Sequence, residues 1–220
     1  MDGRHFWWIA PVGSQARIAF NRYERKLSKV PGYKLYRSRG EEKIITPLKS
    51  VIEFKSADKP DSLYGEDVHA FIFDEFTRAR MEAWTAVRST ITSTGGPGKF
   101  LGNYKGETNW GHKLSEKAKE DPDNWYYRKI TALEAVECGR ITLEEFEQAR
   151  RDLPKSDFDA LYMCTGSIDE YRLFKTDVCY DLFTNNHLLR GNEKTRRMYC
   201  DLAYYGIDKF VIHVWEGEYF

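Results

Sequence analysis

Apolar runs alternate with segments of helical periodicity over the first 130 positions of the chain. Residues 6–10 predict a buried strand, and residues 48–56 predict a second one. Residues 71–73 are three large apolar residues without polar alternation, which is typical of a strand inside a parallel sheet, where both faces are covered. Residues 99–102 predict a fourth, short strand.

Two predicted helices lie between these strands, and a third follows the last strand. Ser14 is a candidate N-cap for a helix over residues 15–27, and residues 80–90 and 109–119 have helical character. Because strands and helices alternate in this way, we predict a parallel α/β sheet through about residue 130.

The pattern changes in the second half of the chain. Thr142 and Glu145 form a capping-box signature for a short helix, and Pro154 favours the start of another. Residues 198–203 and 210–215 predict two strands of a hairpin. We therefore predict an α/β unit over residues 1–135, a connector over 136–195, and the beginning of another domain over 196–220.

The composition is that of a soluble globular protein, with 41% hydrophobic and 31% charged residues. The 34 basic and 34 acidic residues cancel, so a global basic field for nucleic acid is absent and only local patches remain possible. The apolar run at residues 6–12 is too short to cross a membrane and lacks the form of a secretion signal.

The candidate chemistry lies at Asp74 and Glu75, which directly follow the apolar run 71–73. They are expected at the carboxyl end of a strand, where open α/β sheets bind ligands. The second acidic motif of P-loop ATPases has this arrangement: its first acid supports Mg²⁺, and its second activates the water that attacks the γ-phosphate. An ordinary strand followed by a solvated acidic turn is the alternative interpretation.

Together these segments resemble the large subunit of the terminase of tailed phages, the motor that packages viral DNA. The resemblance runs over nearly the whole chain and depends on the order of its parts: Trp8-Ile9-Ala10-Pro11 with Gln15-Ala16, Ile52-Glu53-Phe54-Lys55-Ser56-Ala57-Asp58 with Gly65, Phe71-Ile72-Phe73-Asp74-Glu75, Gly98-Lys99-Phe100-Leu101-Gly102-Asn103 with Lys105-Gly106, and Asp201-Leu202-Ala203 with Asp208 and Trp215.

The resemblance implies a role for each matched site residue. Asp74 would support Mg²⁺, and Glu75 would be the base or orient the water. Gly102 and Asn103 would form the coupling motif beside the γ-phosphate, although Asn103 can equally be a simple turn former. Asp201 would be the first metal-binding acid of a two-metal nuclease, whose other acids would come from strands outside this chain.

The resemblance also implies a fold and partners. The fold would be a partial RecA-like P-loop ATPase sheet over residues 1–135, a connector or lid, and the first hairpin of a ribonuclease-H-like nuclease domain. ATP would be the substrate and Mg²⁺ the cofactor. The partners would be double-stranded DNA, a portal protein, a small terminase subunit and further copies in a homo-oligomeric ring, with no membrane. The setting would be the cytoplasm of an infected or lysogenic bacterial host.

Two departures from the family pattern stand out. No Gly-rich loop with Lys-Ser or Lys-Thr occurs in the chain, since residues 95–99 lack both the spacing and the hydroxyl residue. Tyr64 stands where many members carry an Arg just before the glycine matched by Gly65. We therefore expect a member truncated at both ends, which alone neither binds ATP tightly nor cuts DNA.

Three other interpretations stay open. The chain could be a helicase-like or other RecA-type ATPase, although such a protein would lack the hairpin at Asp201. It could be a non-catalytic remnant or split-gene product that acts only by association. It could also be a structural domain without activity.

Overall fold

The computed structural model describes residues 3–38, 41–103, 105–106, 108–165, 196–201 and 211–216. The chain divides into two compact units, residues 1–170 and residues 171–220.

The first unit is built on a six-stranded mixed sheet. Its strands are β1 (His5–Ala10), β2 (Lys34–Ser38), β3 (Glu41–Ile45), β4 (Val51–Ser56), β5 (Ala70–Phe73) and β6 (Gly98–Phe100). They lie in the order β2-β3-β4-β1-β5-β6. Strand β1 pairs in parallel with β4 on one side and β5 on the other, and β5 pairs in parallel with β6. The predicted parallel core is therefore confirmed.

The helices of this unit follow the strands along the chain. They are α1 (Gly13–Leu27), α2 (Met81–Thr90), α3 (Trp110–Glu120), α4 (Ala132–Glu137), α5 (Leu143–Asp152) and α6 (Lys155–Leu161), with 3₁₀-helical turns at Pro60–Leu63 and Phe76–Arg78.

Two apolar layers cover the central strands. Trp7 and Ile9 of β1 face the layer that contains α2, whereas Ala10 faces the layer that contains α1, because successive side chains of a strand point to opposite faces. Both layers are rich in rings: Phe71 and Phe73 lie in the first, Phe20 and Phe54 in the second. This double burial explains why β1 and β5 have nearly continuous apolar sequences.

The sequence analysis missed β2 and β3, which pair antiparallel with each other and, through β3, with β4. These two strands, of which β2 is at the edge of the sheet, are mostly polar, and of their residues only Glu42 and Ile44 are buried. Glu42 contacts Arg17 of α1, with 2.6 Å between its Oε1 and the Arg17 Nε. Such a buried acid breaks the alternation that would identify the strand.

The helix boundaries agree with the sequence patterns except at two places. The N-cap of α1 is Val12, without a side-chain cap, so the assignment of that role to Ser14 is wrong. Helix α4 was not predicted, although Thr131 and Glu134 form its full capping box. Asn109 caps α3, and Thr142 caps α5.

In the second unit, β7 (Arg196–Asp201) and β8 (Val211–Glu216) form an antiparallel pair in which Asp201 is opposite Val211. The two predicted strands are thus present. The predicted turn, with Asp208, lies outside the described residues. Among the described residues, no helix is long and apolar enough to cross a membrane.

Candidate functional site at the carboxyl edge of the sheet

Hydrogen bonds extend the parallel strands slightly beyond their carboxyl ends. The Ala57 N–H donates to the Ala10 carbonyl at 2.8 Å, and the Asp74 N–H donates to the Ile9 carbonyl at 2.8 Å. The Leu101 N–H donates to the Phe73 carbonyl at 2.9 Å. The segments that leave β4, β1, β5 and β6 therefore start side by side at one edge.

Asp74 and Glu75 lie on the segment that leaves β5 at this edge, and both are half-buried. Glu75 has left-handed backbone angles, with φ 51° and ψ 33°, directly before the 3₁₀ turn Phe76–Arg78. Its Oε2 atom is buried and makes no hydrogen bond to the described residues. The Arg78 Nε lies 3.2 Å from this oxygen, close enough for an ion pair but without hydrogen-bond alignment.

The segment that leaves β6 lies against the turn that follows Glu75. The Phe76 N–H donates to the Leu101 carbonyl at 3.1 Å. A Cβ added at Gly102 would come within 3.0 Å of the Phe76 ring and 3.3 Å of the Thr77 Oγ1. Gly102 therefore allows a close approach between the predicted coupling segment and the acid-bearing turn.

The start of α3 packs on the same turn. Asn109 accepts a hydrogen bond from the Gly111 N–H at 2.8 Å and donates its own Nδ2 to the Thr77 carbonyl at 2.9 Å. The Trp110 Nε1 donates to the Ala79 carbonyl at 2.8 Å. The turn after Glu75 thus lies between Gly102 and the first turn of α3.

A pocket of about 290 Å³ adjoins the coupling segment and does not include Asp74 or Glu75. Polar and cationic side chains line it together with Gly102 and Asn103: Lys105 from the segment between β6 and α3, His112 and Ser115 from α3, and Arg128 and Lys129 from the segment before α4. Asn103 is half-buried and borders this pocket. A displacement of Asn103 would therefore change the shape of the pocket.

The structure brings four of the five predicted site residues to one sheet edge: Asp74 and Glu75 after β5, and Gly102 and Asn103 after β6. Asp201 is the last residue of β7 in the second unit, and its side chain lies outside the described part of the chain. Sequence reasoning missed the role of Asn109. Its position before a helix indicates a cap, but its bond to Thr77 depends on tertiary packing alone.

The donor set at the edge fits Mg²⁺, which prefers oxygen ligands and is held in proteins by one or two carboxylates. Asp74 and Glu75 supply such oxygens, and the buried Glu75 Oε2 lacks a hydrogen-bond partner among the described residues.

Comparison with solved structures places the chain among large terminases in fold. The ATPase domain of the Thermus phage P74-26 large terminase is 22% identical, with a TM-score of 0.55 over 74% of this chain and 76% of that domain. The large terminase of a second thermophilic bacteriophage, solved in complex with ADP, is 17% identical, with a TM-score of 0.62 over 98% of this chain and 52% of that protein.

The large terminase of bacteriophage HK97 is 15% identical, with a TM-score of 0.55 over 92% of this chain and 47% of that protein. The chain therefore spans about half the length of the HK97 protein and of the ADP-bound terminase. No family model and no curated protein matches the sequence. At these identities the comparisons show that the chain has the fold of the large terminase ATPase domain.

Proposed function

We propose that this chain is the ATPase-core portion of a large terminase subunit, in which ATP hydrolysis drives the packaging of viral DNA. One observation carries the proposal: adjacent carboxylates leave β5 at the carboxyl edge of a terminase-like parallel sheet, beside the central strand β1. Ligands of open α/β sheets bind at this edge. The terminase of the second thermophilic phage, which shares the fold, was solved with ADP and with ATP-γ-S.

Asp74 would hold Mg²⁺ at this edge, either directly or through a water molecule, and the ion would neutralise charge on the β- and γ-phosphates. The Asp74 backbone supports this task because its N–H is fixed to the Ile9 carbonyl at 2.8 Å. The carboxylate therefore starts from a rigid strand end.

Glu75 would orient the attacking water and accept its proton. The left-handed backbone of Glu75 turns the chain directly after Asp74. The Glu75 Oε2 has no hydrogen bond to the described residues, so an acceptor remains available for a water proton. Arg78 at 3.2 Å supplies a positive charge that holds this carboxylate.

Gly102 and Asn103 would transmit the state of the nucleotide. The close approach of Gly102 to Phe76 and Thr77 gives a direct mechanical contact with the turn after Glu75. Through Asn109 and Trp110 the same turn is fixed to α3. A shift at the carboxylates would thus move both the coupling segment and α3.

The remaining parts of the proposal depend on the family resemblance. Asp201 would be a metal ligand of a ribonuclease-H-like nuclease. The partners would be double-stranded DNA, a portal protein, a small terminase subunit and further copies of the chain in a ring. The setting would be the cytoplasm of the bacterial host.

The proposal is tested by adding a phosphate-binding loop, because the 220-residue sequence contains none. The phosphate-loop segment of the terminase that was solved with ADP is fused ahead of His5, and ATP hydrolysis and nucleotide binding are measured. Glu75→Gln should lower hydrolysis by about 100-fold or more while nucleotide still binds, because a general base contributes about 10²–10⁴-fold. Asp74→Asn should weaken Mg²⁺-dependent nucleotide binding.

Glu82→Gln, on the exposed surface of α2, is the matched control and should leave hydrolysis unchanged. Equal hydrolysis by the Glu75→Gln and Glu82→Gln fusions would contradict the proposed role of the acidic pair. Strand separation of duplex DNA by the fusion would favour another RecA-type ATPase instead.

A further inference from the structure

A second group of ionisable side chains lies away from the carboxyl edge. His5 at the start of β1, Glu53 on β4 and Glu66 in the loop before β5 each place one potential ligand atom within 4.8 Å of the other two. The His5 Nε2 lies 3.2 Å from the Glu53 Oε2, and the His5 Nδ1 lies 2.9 Å from the Glu66 Oε2.

Two of these atoms are buried without a hydrogen bond to the described residues, namely the His5 Nε2 and the Glu53 Oε2. These two atoms lie in ion-pair contact with each other, and the same Glu53 oxygen lies 2.8 Å from the Lys55 Nζ. The cluster therefore holds an ammonium at the place where a metal ion would bind the three potential ligands.

From this geometry we infer that His5, Glu53 and Glu66 form a binding site for a divalent transition ion of the zinc class. Zinc takes imidazole nitrogen and carboxylate oxygen at about 2.0–2.2 Å, often in tetrahedral geometry. His5 can offer only one ring nitrogen to the ion, and one potential ligand atom from each of the three residues lies within 4.8 Å of the other two. One nitrogen, two carboxylates and an open position favour this class over Mg²⁺, which prefers oxygen alone.

The Lys55 ammonium competes with the ion for the carboxylates of Glu53 and Glu66. Its Nζ lies 2.8 Å from the Glu53 Oε2 and 3.5 Å from the Glu66 Oε1, above the Trp7 ring. Burial disfavours its charged form, but the two carboxylates outweigh burial and raise the pKa of Lys55. The ammonium therefore partly neutralises the site, and an ion must displace it or share the carboxylates with it.

The His5 ring, and then the Lys55 ammonium, hold the pKa of Glu53 at about 2. At neutral pH, protons therefore do not compete with a metal ion for this carboxylate.

The bound ion would act as a clamp. Glu66 lies in the connection between β4 and β5, next to Tyr64 and Gly65, whereas His5 and Glu53 belong to paired strands. An ion bound to all three fixes this connection to the sheet. The effect is structural, so it is measured without ATP hydrolysis.

The test uses the 220-residue chain, freed of metal with a chelator and titrated with Co²⁺ at pH 7.5. We expect saturable visible absorption bands of low-coordinate Co²⁺ that Zn²⁺ displaces. His5→Gln and Glu66→Gln should each weaken binding by about 10–100-fold or more, the loss seen even for outer partners of metal ligands. His112→Gln, at a histidine 3.9 Å from Glu116 on α3, should leave binding unchanged.

Lys55→Met should have the opposite effect and tighten binding, because it removes the ammonium that competes with the ion for the Glu53 carboxylate. A misfolded variant cannot produce that gain. Zn²⁺ should also slow amide hydrogen exchange in residues 57–69 of the native chain. The absence of saturable bands, equal binding by His5→Gln, or no gain with Lys55→Met would each overturn the inference and leave a plain ion-pair network.

Discussion

At the scale of single residues, Glu75 has an unusual conformation. A left-handed backbone is uncommon for a residue other than Gly and is enriched in Asn and Asp. Glu75 combines it, at φ 51°, with a buried carboxylate oxygen that has no hydrogen bond to the described residues. Strain of this kind is typical of sites where function opposes stability.

Glu75→Asn should therefore stabilise the chain by about 1 kcal/mol, because Asn tolerates the left-handed region and removes the buried oxygen. Urea unfolding at pH 7 measures the change in the free energy of unfolding. Lys49→Asn is the control, since Lys49 has φ 62° in an exposed turn and should gain only the backbone part. A smaller gain for Glu75→Asn than for Lys49→Asn would contradict this account.

At the scale of elements, the pairing of β5 with β6 depends on Gly98. An added Cβ would come within 2.0 Å of the Phe71 Cζ, so the ring occupies the space of a side chain. Phe71 also packs edge-on against Phe100, with 5.4 Å between the ring centroids. The coupling segment that follows β6 is positioned by this contact.

Gly98→Ala should lower the free energy of unfolding by about 1–3 kcal/mol through overpacking. Gly13→Ala is the control, because its Cβ would meet nothing closer than the Ser56 Cβ at 3.9 Å, and alanine favours a helix. Thermal unfolding compares the two variants. The prediction is wrong if both change stability equally.

Asn109 joins α3 to the acid-bearing turn, so its loss should exceed that of an ordinary cap. Asn109→Ala should destabilise the chain by about 2 kcal/mol, since it removes the cap and the donor to the Thr77 carbonyl. Thr142→Ala removes a cap at an exposed helix start and should lose about 1 kcal/mol. Denaturant unfolding gives both values, and a larger loss for Thr142→Ala would contradict the role of Asn109.

At the scale of the whole molecule, the ion-pair cluster of His5, Glu53 and Glu66 links β1, β4 and the connection to β5. Its stabilising effect depends on pH, since the pKa of Glu53 is lowered from 4.5 to about 2 in the folded chain. A lowered folded-state pKa means that the stabilisation is complete above about pH 4.5 and is lost as the pH falls towards 2.

Between about pH 6 and 3, measured with a chelator present, native stability should fall, with a Glu53 contribution of at most about 3 kcal/mol over its full range. Glu53→Gln should flatten this dependence, because it removes the group that titrates. Glu82→Gln, at an exposed position, should keep the native slope. An unchanged slope in Glu53→Gln would show that the cluster does not couple protonation to folding.

The sequence of the whole chain also predicts how well it binds ATP. Its 220 residues contain no Gly-rich loop with Lys-Ser or Lys-Thr, the element whose backbone N–H groups bind the β- and γ-phosphates. The purified chain should therefore not bind ATP tightly by itself. Equilibrium dialysis with labelled ATP tests this, and Glu75-dependent ATP turnover by the chain would contradict it.

The sequence by itself determined the parallel core, since β1 and β5 are apolar on both faces and lack the alternation of an exposed strand. It also located Asp74 and Glu75, because adjacent acids after such a run mark a strand end. The sequence did not reveal β2 and β3, because β2 is a mostly exposed edge strand and the buried Glu42 interrupts the apolar face of β3.

Only the tertiary structure decided which side chains meet across the sheet. Glu53 stands 48 positions after His5, and Glu66 a further 13, so no local pattern joins them. The parallel register of β1 and β4 and the path of the following connection bring them together. Contacts of this kind arise from strand pairing, which is a property of the whole fold and leaves no periodic trace in the chain.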